Sequence, residues 1–212
     1  MRVVAFNVKR CAAGHDSVAA VLRDLDPDVV ALQEVVRAQV RWFRHSLGLH
    51  ALAGPVIWPI GYGNALLLRE RPKWSRVALF RAVRGIERRG CAIAGISGVA
   101  VCSTHLSVHA AERAEQAEEL ALLLDVWPSV VVAADLNEQP GGPVTRLLGE
   151  RFHDAFADAG TGDGFTFPAT KPARRIDYVL ATSDINTRSC HVAPDVASDH
   201  LAVVADLDVP SG

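Results

Sequence analysis

Several apolar runs in the chain stop at side chains able to hold a cation or move a proton. VVAF ends in Asn7, VVAL in Gln33-Glu34, VAVCS in Thr104-His105 and VVVAA in Asp135-Leu136-Asn137, while Asp199-His200 immediately precedes LAVVADL. Carboxylate and amide oxygens suit a hard divalent cation, and a carboxylate or imidazole held in place can act as a general acid or base. Polar groups beyond the ends of strands escape the core yet stay rigidly placed, so ligand crevices of α/β sheets form there. Any one of these residues alone is equally a turn former or a helix N-cap. Five such runs in one chain point to a convergent polar cluster.

The elements that must position them alternate along the sequence. Strand-like runs occur at Val3–Phe6, Val29–Leu32, Ala65–Leu68, Ala92–Ile96, Val99–Ser103, Val130–Ala134, Tyr178–Leu180 and Leu201–Ala205, with helical periodicity over Ser17–Leu25, Ala38–Leu47 and Ala110–Leu124. In the last of these, Leu120, Leu122, Leu123 and Leu124 form an apolar side, and the acidic stretch Glu112–Glu119 reads as a solvated face. A hairpin is expected at Ala92–Ser103, turned by Gly95, Ser97 and Gly98. Gly/Pro-rich breaks at Gly54–Gly63, Gln139–Pro143 and Gly160–Pro172 are long enough for functional loops. No linker or internal repeat interrupts the pattern, so a single α/β domain with mixed sheets is expected over residues 1–212.

Composition limits the alternatives. With 212 residues the chain can bury a sizeable core. It has no apolar stretch approaching a membrane span and no secretory signal pattern. Its four separated cysteines, Cys11, Cys91, Cys102 and Cys190, read as buried free thiols of a reducing, cytoplasmic setting rather than a zinc site. The net charge of −2 conceals a segregation: residues 1–89 carry +8 and residues 90–212 carry −10. The basic excess peaks between Arg69 and Arg89, which is either a solvated strand pair or an arm facing a polyanion.

The ordered motifs resemble the endonuclease/exonuclease/phosphatase superfamily of DNase-like metal-dependent phosphoesterases. They are Asn7 after the first strand, LQEV with Glu34, STHL with His105, Arg113-x-x-Gln116, AADLN with Asp135 and Asn137, RIDYVL with Asp177, and SDH with Asp199-His200. The set spans residues 3 to 204, and its order is far more specific than any single motif. The resemblance implies a four-layer α/β/β/α sandwich of two mixed sheets flanked by helices. It also implies Glu34, Asn7 and Asp199 at a Mg²⁺ or Mn²⁺ ion, with His200, Asp135, Asn137, His105 and Asp177 as the catalytic set. His200 would pair with Asp177, Asp135 and Asn137 would orient the nucleophile, and His105 would donate to phosphate. Either Asp135 or His200 could accept the proton of the attacking water. Tyr62, Asn64 and Arg89 are implied substrate contacts, and Arg113 and Gln116, one helical turn apart, would brace the strand ends. The other six histidines fall in no motif and read as structural or surface residues. Lys9 stands where several relatives carry a second acid or amide. A cation cannot ligate a metal, which favours one catalytic ion and leaves Lys9 or Arg10 for a substrate phosphate.

The expected activity is hydrolysis of phosphodiester bonds by an activated water, with DNA or another nucleic acid as the leading substrate class. A phosphatase or phosphodiesterase for a small molecule or lipid headgroup is the alternative, and a non-catalytic binding module on the same fold the remote one. No partner protein is evident. The apolar segment around Trp58 is expected to be core or lid.

Overall fold

The computed structural model describes residues 1–56, 61–81 and 88–210. Ile57–Ile60, with Trp58, and the part of the basic run that contains Arg84 lie outside the described residues. The strands are β1 (Arg2–Asn7), β2 (Val29–Val36), β3 (His50–Val56), β4 (Tyr62–Leu68), β5 (Trp74–Leu79), β6 (Gly90–Ile96), β7 (Val99–His105), β8 (Val130–Asp135), β9 (Phe152–Asp154), β10 (Gly160–Thr161), β11 (Asp177–Thr182), β12 (Asn186–Val192) and β13 (Val203–Asp208). The helices are α1 (His15–Leu25), α2 (Arg37–Leu47), α3 (Ala110–Leu124), α4 (Pro143–Gly149) and α5 (Ala155–Ala159).

Two mixed sheets result. One has the order β10-β12-β13-β1-β2-β4-β3 and the other β5-β6-β7-β8-β11-β9. Strand β1 runs parallel to β2, and β7 parallel to β8, while the β6–β7 hairpin is antiparallel and turns at Ser97-Gly98, Gly95 lying inside β6 rather than in the turn. Side chains alternate across each strand, so a two-sided burial separates three apolar layers. Val3, Ala5, Ala31 and Leu66 pack against Ala92, Ala94, Val101, Ala133 and Val179 between the sheets. Val4, Phe6, Val30 and Leu32 face Val18, Leu22 and Phe43 of α1 and α2 on one outer side. Ile93, Cys102, Val130 and Val132 face Ala117, Leu120 and Leu124 of α3 on the other. This is the expected four-layer sandwich. Strands buried on both faces read as continuous apolar runs, which is why they stand out in the sequence.

Differences from the sequence expectations concern the edges. Leu122 of α3 is exposed rather than part of the apolar side, and Leu120 and Leu124 carry the packing. All four cysteines are buried and unpaired. Among the described residues no helix is long and apolar enough to cross a membrane.

Gly90, the first residue of β6, is constrained by its neighbours. A Cβ there would lie 2.2 Å from the Ala78 carbonyl oxygen and 3.0 Å from Leu79 Cα, both backbone atoms that cannot turn away. The Gly90 carbonyl also accepts hydrogen bonds from Asn64 Nδ2 at 2.7 Å and Thr104 Oγ1 at 3.0 Å. Gly90→Ala is therefore expected to cost about 1–3 kcal/mol by overpacking, read as a lower urea midpoint. An unchanged midpoint would show that the β5–β6 pair yields freely.

Candidate active site

Strand pairing brings the catalytic candidates together. In the register of the second sheet His105 of β7 lies opposite Asp135 of β8, and Asp177 of β11 lies opposite the same Asp135. The first sheet delivers Asn7 and Glu34 from neighbouring strands, Asn7 being level with Gln33. The Asn7 amide ties the two sheets, with Nδ2 donating to Asp135 Oδ2 at 2.9 Å and to Glu34 Oε1 at 3.3 Å. Its Oδ1 accepts the Lys9 backbone N–H at 3.1 Å.

Two residues reach the site from backbone conformations that an L-residue rarely adopts. Glu34 has φ 55° and Asn137 φ 51°. Glu34 sits where the β2–β4 register shifts between Leu32 and Val35. A bulge of this kind re-aims a side chain at the cost of local strain, and here it turns the half-buried Glu34 carboxylate into the cavity. Asn137 is held by its own N–H donating to Asp135 Oδ1 at 2.9 Å and by Nδ2 donating to the Leu106 carbonyl at 3.0 Å.

The cavity has a volume of 420 Å³, and Glu34, Tyr62, Arg89, His105, Asp135, Asn137 and His200 all line it. Burial governs its electrostatics. His200 Nδ1 lies 2.9 Å from Asp177 Oδ2, and His200 Nε2 lies 3.9 Å from Asp135 Oδ2. Burial disfavours a charged ring, but the carboxylates of Asp177, Asp135 and Asp199 outweigh it and raise the His200 pKa to about 9. Burial and the neighbouring Asp177 push Asp135 up to about 7, against the opposing effects of His200, Asn7 and Asn137. His105 moves the other way. Burial, Arg89 and His200 hold its pKa well below the ordinary imidazole value. Arg89 Nη1 stands 2.7 Å from His105 Nδ1. Since a guanidinium only donates, Nδ1 accepts, the ring is neutral and Nε2 carries the hydrogen; Asn137 Nδ2 at 3.0 Å and Asp135 Oδ2 at 3.3 Å both lie beside Nε2, and of the two only the carboxylate can accept that hydrogen.

One expectation follows for the metal-free protein. Replacing Asp177 by Asn removes the leading favourable interaction of the His200 imidazolium while keeping it buried, so its pKa should fall from about 9 to the free-imidazole 6.5 or below. In the wild type the pair stabilises the fold fully below pH 6.5 and loses that contribution as pH rises through about 9. Titration of the His200 ring by NMR checks this, and a midpoint that stays near 9 in the variant contradicts it.

The structure places the remaining predicted residues as follows. Asp199 pairs with Lys9 Nζ at 2.8 Å, so each of these side chains faces the other. Asn64 is buried and fixes the Arg89–Gly90 segment instead of lining the cavity. Arg113 donates from Nη1 to the carbonyls of Ser107 (3.1 Å) and Val108 (2.9 Å), and Gln116 Oε1 accepts the Ser107 N–H at 2.9 Å. Both thus hold the loop that follows His105. Sequence reasoning missed Ser107, Val108, His109 and Glu112, all of which line the cavity. Glu112 corrects the reading of the acidic stretch Glu112–Glu119 as a solvated face. It is 2% exposed, with Oε1 accepting from Gln116 Nε2 at 3.0 Å. The available signal was its i, i+4 spacing to Gln116, which puts both on one face.

The basic run is also revised. Arg69 is paired with Asp28 at 3.0 Å and with Asp26, and Arg175 with Asp154 at 2.6 Å. Arg76 pairs across to Ile93, three residues along β6 from Gly90, so it lies about 10 Å from the cavity end of that strand. Nearer the site are two exposed cations, Arg10 over the Tyr62 ring at 6.0 Å and Arg174 over Phe167 at 4.7 Å. Phe167 itself packs on His200 with ring centroids 4.7 Å apart.

The donor chemistry fits a hard divalent cation. Asp135 and Asp177 bring carboxylate oxygens within 4.8 Å of one another, Asp177 Oδ1 is buried without a hydrogen-bond partner, and Glu34 lines the same cavity as Asp135.

Two sheets that deliver their terminal carboxylates and imidazoles to one cavity define a phosphoric ester hydrolase of the sandwich type. Residues 4–200 match the Endonuclease/Exonuclease/phosphatase family, and the chain belongs to it. Members hydrolyse phosphoric esters, include nucleases and phosphatases, and use divalent metal ions. Among solved structures the chain is similar to an endonuclease/exonuclease/phosphatase from Beutenbergia cavernae DSM 12333, with TM-score 0.82 and 25% identity over 99% of this chain and 71% of that one. It is similar in fold to a mannosyl-6-phosphatase from Bacteroides thetaiotaomicron VPI-5482, with TM-score 0.83 and 14% identity over 98% and 99% of the two chains. It is likewise similar to D. rerio TDP2 complexed with a single-strand DNA product, with TM-score 0.82 and 18% identity over 99% of each. No curated protein gives a significant sequence match.

Proposed function

We propose that the chain hydrolyses a phosphoester whose reacting end enters the 420 Å³ cavity, using Asp135 as general base. The observation that carries this reading is geometric: strand register sets Asp135 opposite both His105 and Asp177, with His200 Nε2 3.9 Å from Asp135 Oδ2 and His200 Nδ1 on Asp177. His200, raised to about 9, is charged at neutral pH and stabilises phosphoryl negative charge, while Asp135, pushed up to about 7, is matched to accept a proton there. Water attacks phosphorus, its proton passes to Asp135 Oδ2, and the bond from phosphorus to the leaving oxygen breaks. Neutral His105, fixed by Arg89, donates Nε2–H to a non-bridging oxygen. Asn137 holds Asp135, and Asp177 holds His200. Glu34, oriented by Asn7, would hold the ion, which when bound supplies Lewis-acid stabilisation of the phosphoryl oxygens. Mg²⁺ and Mn²⁺ both match these oxygen donors. The pairing of Asp199 with Lys9 leaves Glu34 as the principal ligand and supports a single ion.

A compact phosphoester or a strand terminus suits this cavity better than the interior of a polymer, because Arg69 is paired with Asp26 and Asp28 and Arg76 lies about 10 Å along β6 from its cavity end. A second reading, a nucleic-acid strand crossing the site, is favoured by Arg10 and Arg174 beside Tyr62 and Phe167. Hydrolysis of p-nitrophenyl phosphate and bis-p-nitrophenyl phosphate with Mg²⁺ or Mn²⁺ tests the first; no turnover with either ion removes it. Affinity for DNA that stays flat as salt rises several-fold removes the second, since counterion release makes phosphate contacts strongly salt-dependent.

A further inference from the structure

One wall of the cavity carries groups that phosphoryl transfer does not need. Ser107, Val108, His109 and Glu112 face the same space as Asp135 and His200. Glu112 is 2% exposed, and its Oε1 accepts from Gln116 Nε2 at 3.0 Å. Its Oε2 has no hydrogen-bond partner among the described residues, yet it is not enclosed. A carboxylate kept from bulk water with an oxygen open to a cavity is costly unless a donor arrives to meet it. Beside it the buried Ser107 Oγ accepts the His109 N–H at 3.1 Å, so its hydroxyl hydrogen is left to donate. His109 adds an imidazole at the exposed rim.

We infer that Glu112, with Ser107 and His109, forms a subsite for a neutral, hydroxyl-bearing group such as a sugar attached to the scissile phosphate. The inference rests on the phosphoesterase reading and deepens it. Hydroxyls both donate and accept, which matches a wall made of a carboxylate acceptor, a hydroxyl donor and an imidazole. The same carboxylate repels a second phosphate, so this side of the cavity admits the sugar of a small ester or of a chain end and turns away a continuing polyanion. Sites built to hydrogen-bond a substrate hydroxyl reject analogues that lack it far more strongly than apolar pockets reject a missing methylene.

The test compares esters with and without hydroxyls in pairs: glucose 6-phosphate against p-nitrophenyl phosphate, and thymidine 5′-p-nitrophenyl phosphate against bis-p-nitrophenyl phosphate. Taking kcat/KM as a ratio within each pair, and then between Glu112→Gln and wild type, cancels the intrinsic reactivity of the leaving groups. The hydroxyl-bearing member is expected to lose about tenfold or more relative to its partner, mainly through KM. His109→Gln, at the exposed rim, should lower the same ratio and serves if Glu112→Gln melts early. An unchanged ratio overturns the inference, as does wild-type enzyme that cleaves the p-nitrophenyl esters but neither hydroxyl-bearing one. An equal fall for all four esters also overturns it, since that is the signature of Glu112 acting only through Gln116 on the Ser107 loop. If no ester is hydrolysed with Mg²⁺ or Mn²⁺, the phosphoesterase reading itself fails and takes the subsite with it.

Discussion

Asp135→Asn is expected to reduce kcat by about three orders of magnitude, within the span attributed to a positioned general base, while its stability relative to wild type improves as pH rises. Asparagine keeps the shape and retains an oxygen for the Asn137 N–H, which Asp135 Oδ1 accepts at 2.9 Å. It cannot take a proton from water. The variant gives up the bond that Asp135 Oδ2 accepts from Asn7 Nδ2 at 2.9 Å, but the native carboxyl is 1% exposed and pushed up to about 7 by burial and Asp177, so its ionised form is a burden to the fold. A carboxylate with a raised pKa is most costly above that pKa, so the variant's relative stability should improve from pH 5 to pH 8. Steady-state kinetics and thermal melts across that range decide the matter. A variant within tenfold of wild-type kcat removes Asp135 from the proton-accepting role, and His200→Gln then becomes the substitution to examine.

The ends of the apolar runs were legible because the sandwich buries its central strands on both faces. Polarity can begin only where the strand leaves the core, so Asn7, Glu34, His105 and Asp135 mark their own positions in the sequence. Which of them meet was not legible. The alignment of His105 and Asp177 on Asp135 depends on cross-strand register, and a one-residue slip would send each side chain to the opposite face. Strands at or next to a sheet edge escaped for the converse reason: β5, an edge strand, is exposed along nearly its whole length, and β12, covered only by the two-residue β10, mixes polar and apolar residues without clear alternation. Arg69 read as part of a free basic run because its partners, Asp26 and Asp28, lie 43 and 41 residues away. Glu112 was hidden among like neighbours. Glu115 and Glu118 are exposed on the same helix, whereas Glu112 is buried in its first turn beside Gln116, whose side chain also holds the Ser107 N–H.

Glu34 offers the sharpest separation of stability from function. Chelation by EDTA is expected to abolish turnover, and excess Mg²⁺ or Mn²⁺ to restore it. Glu34→Gln should raise the ion concentration for half-maximal activity by at least the 10–100-fold known for outer-shell partners, because it removes the charge that the proposed function assigns to holding the ion. Glu34→Gly carries the reasoning further. At φ 55° the native residue is held in the left-handed region, a strain of about 1–2 kcal/mol for a residue with a Cβ and almost none for glycine. Against this relief the variant gives up one long hydrogen bond, 3.3 Å from Asn7 Nδ2, and the packing of a half-buried side chain. The loss of a side chain from the unfolded state weighs the other way, since glycine gains more freedom there. Glu34→Gly should therefore melt within a few degrees of wild type, or above it, while showing no metal-dependent turnover. Such an outcome marks a position whose backbone is strained for the sake of the ion. A variant that melts far earlier would assign the bulge at Glu34 to the stability of the sheet, and one that still turns over with micromolar Mn²⁺ would place the ion elsewhere in the cavity.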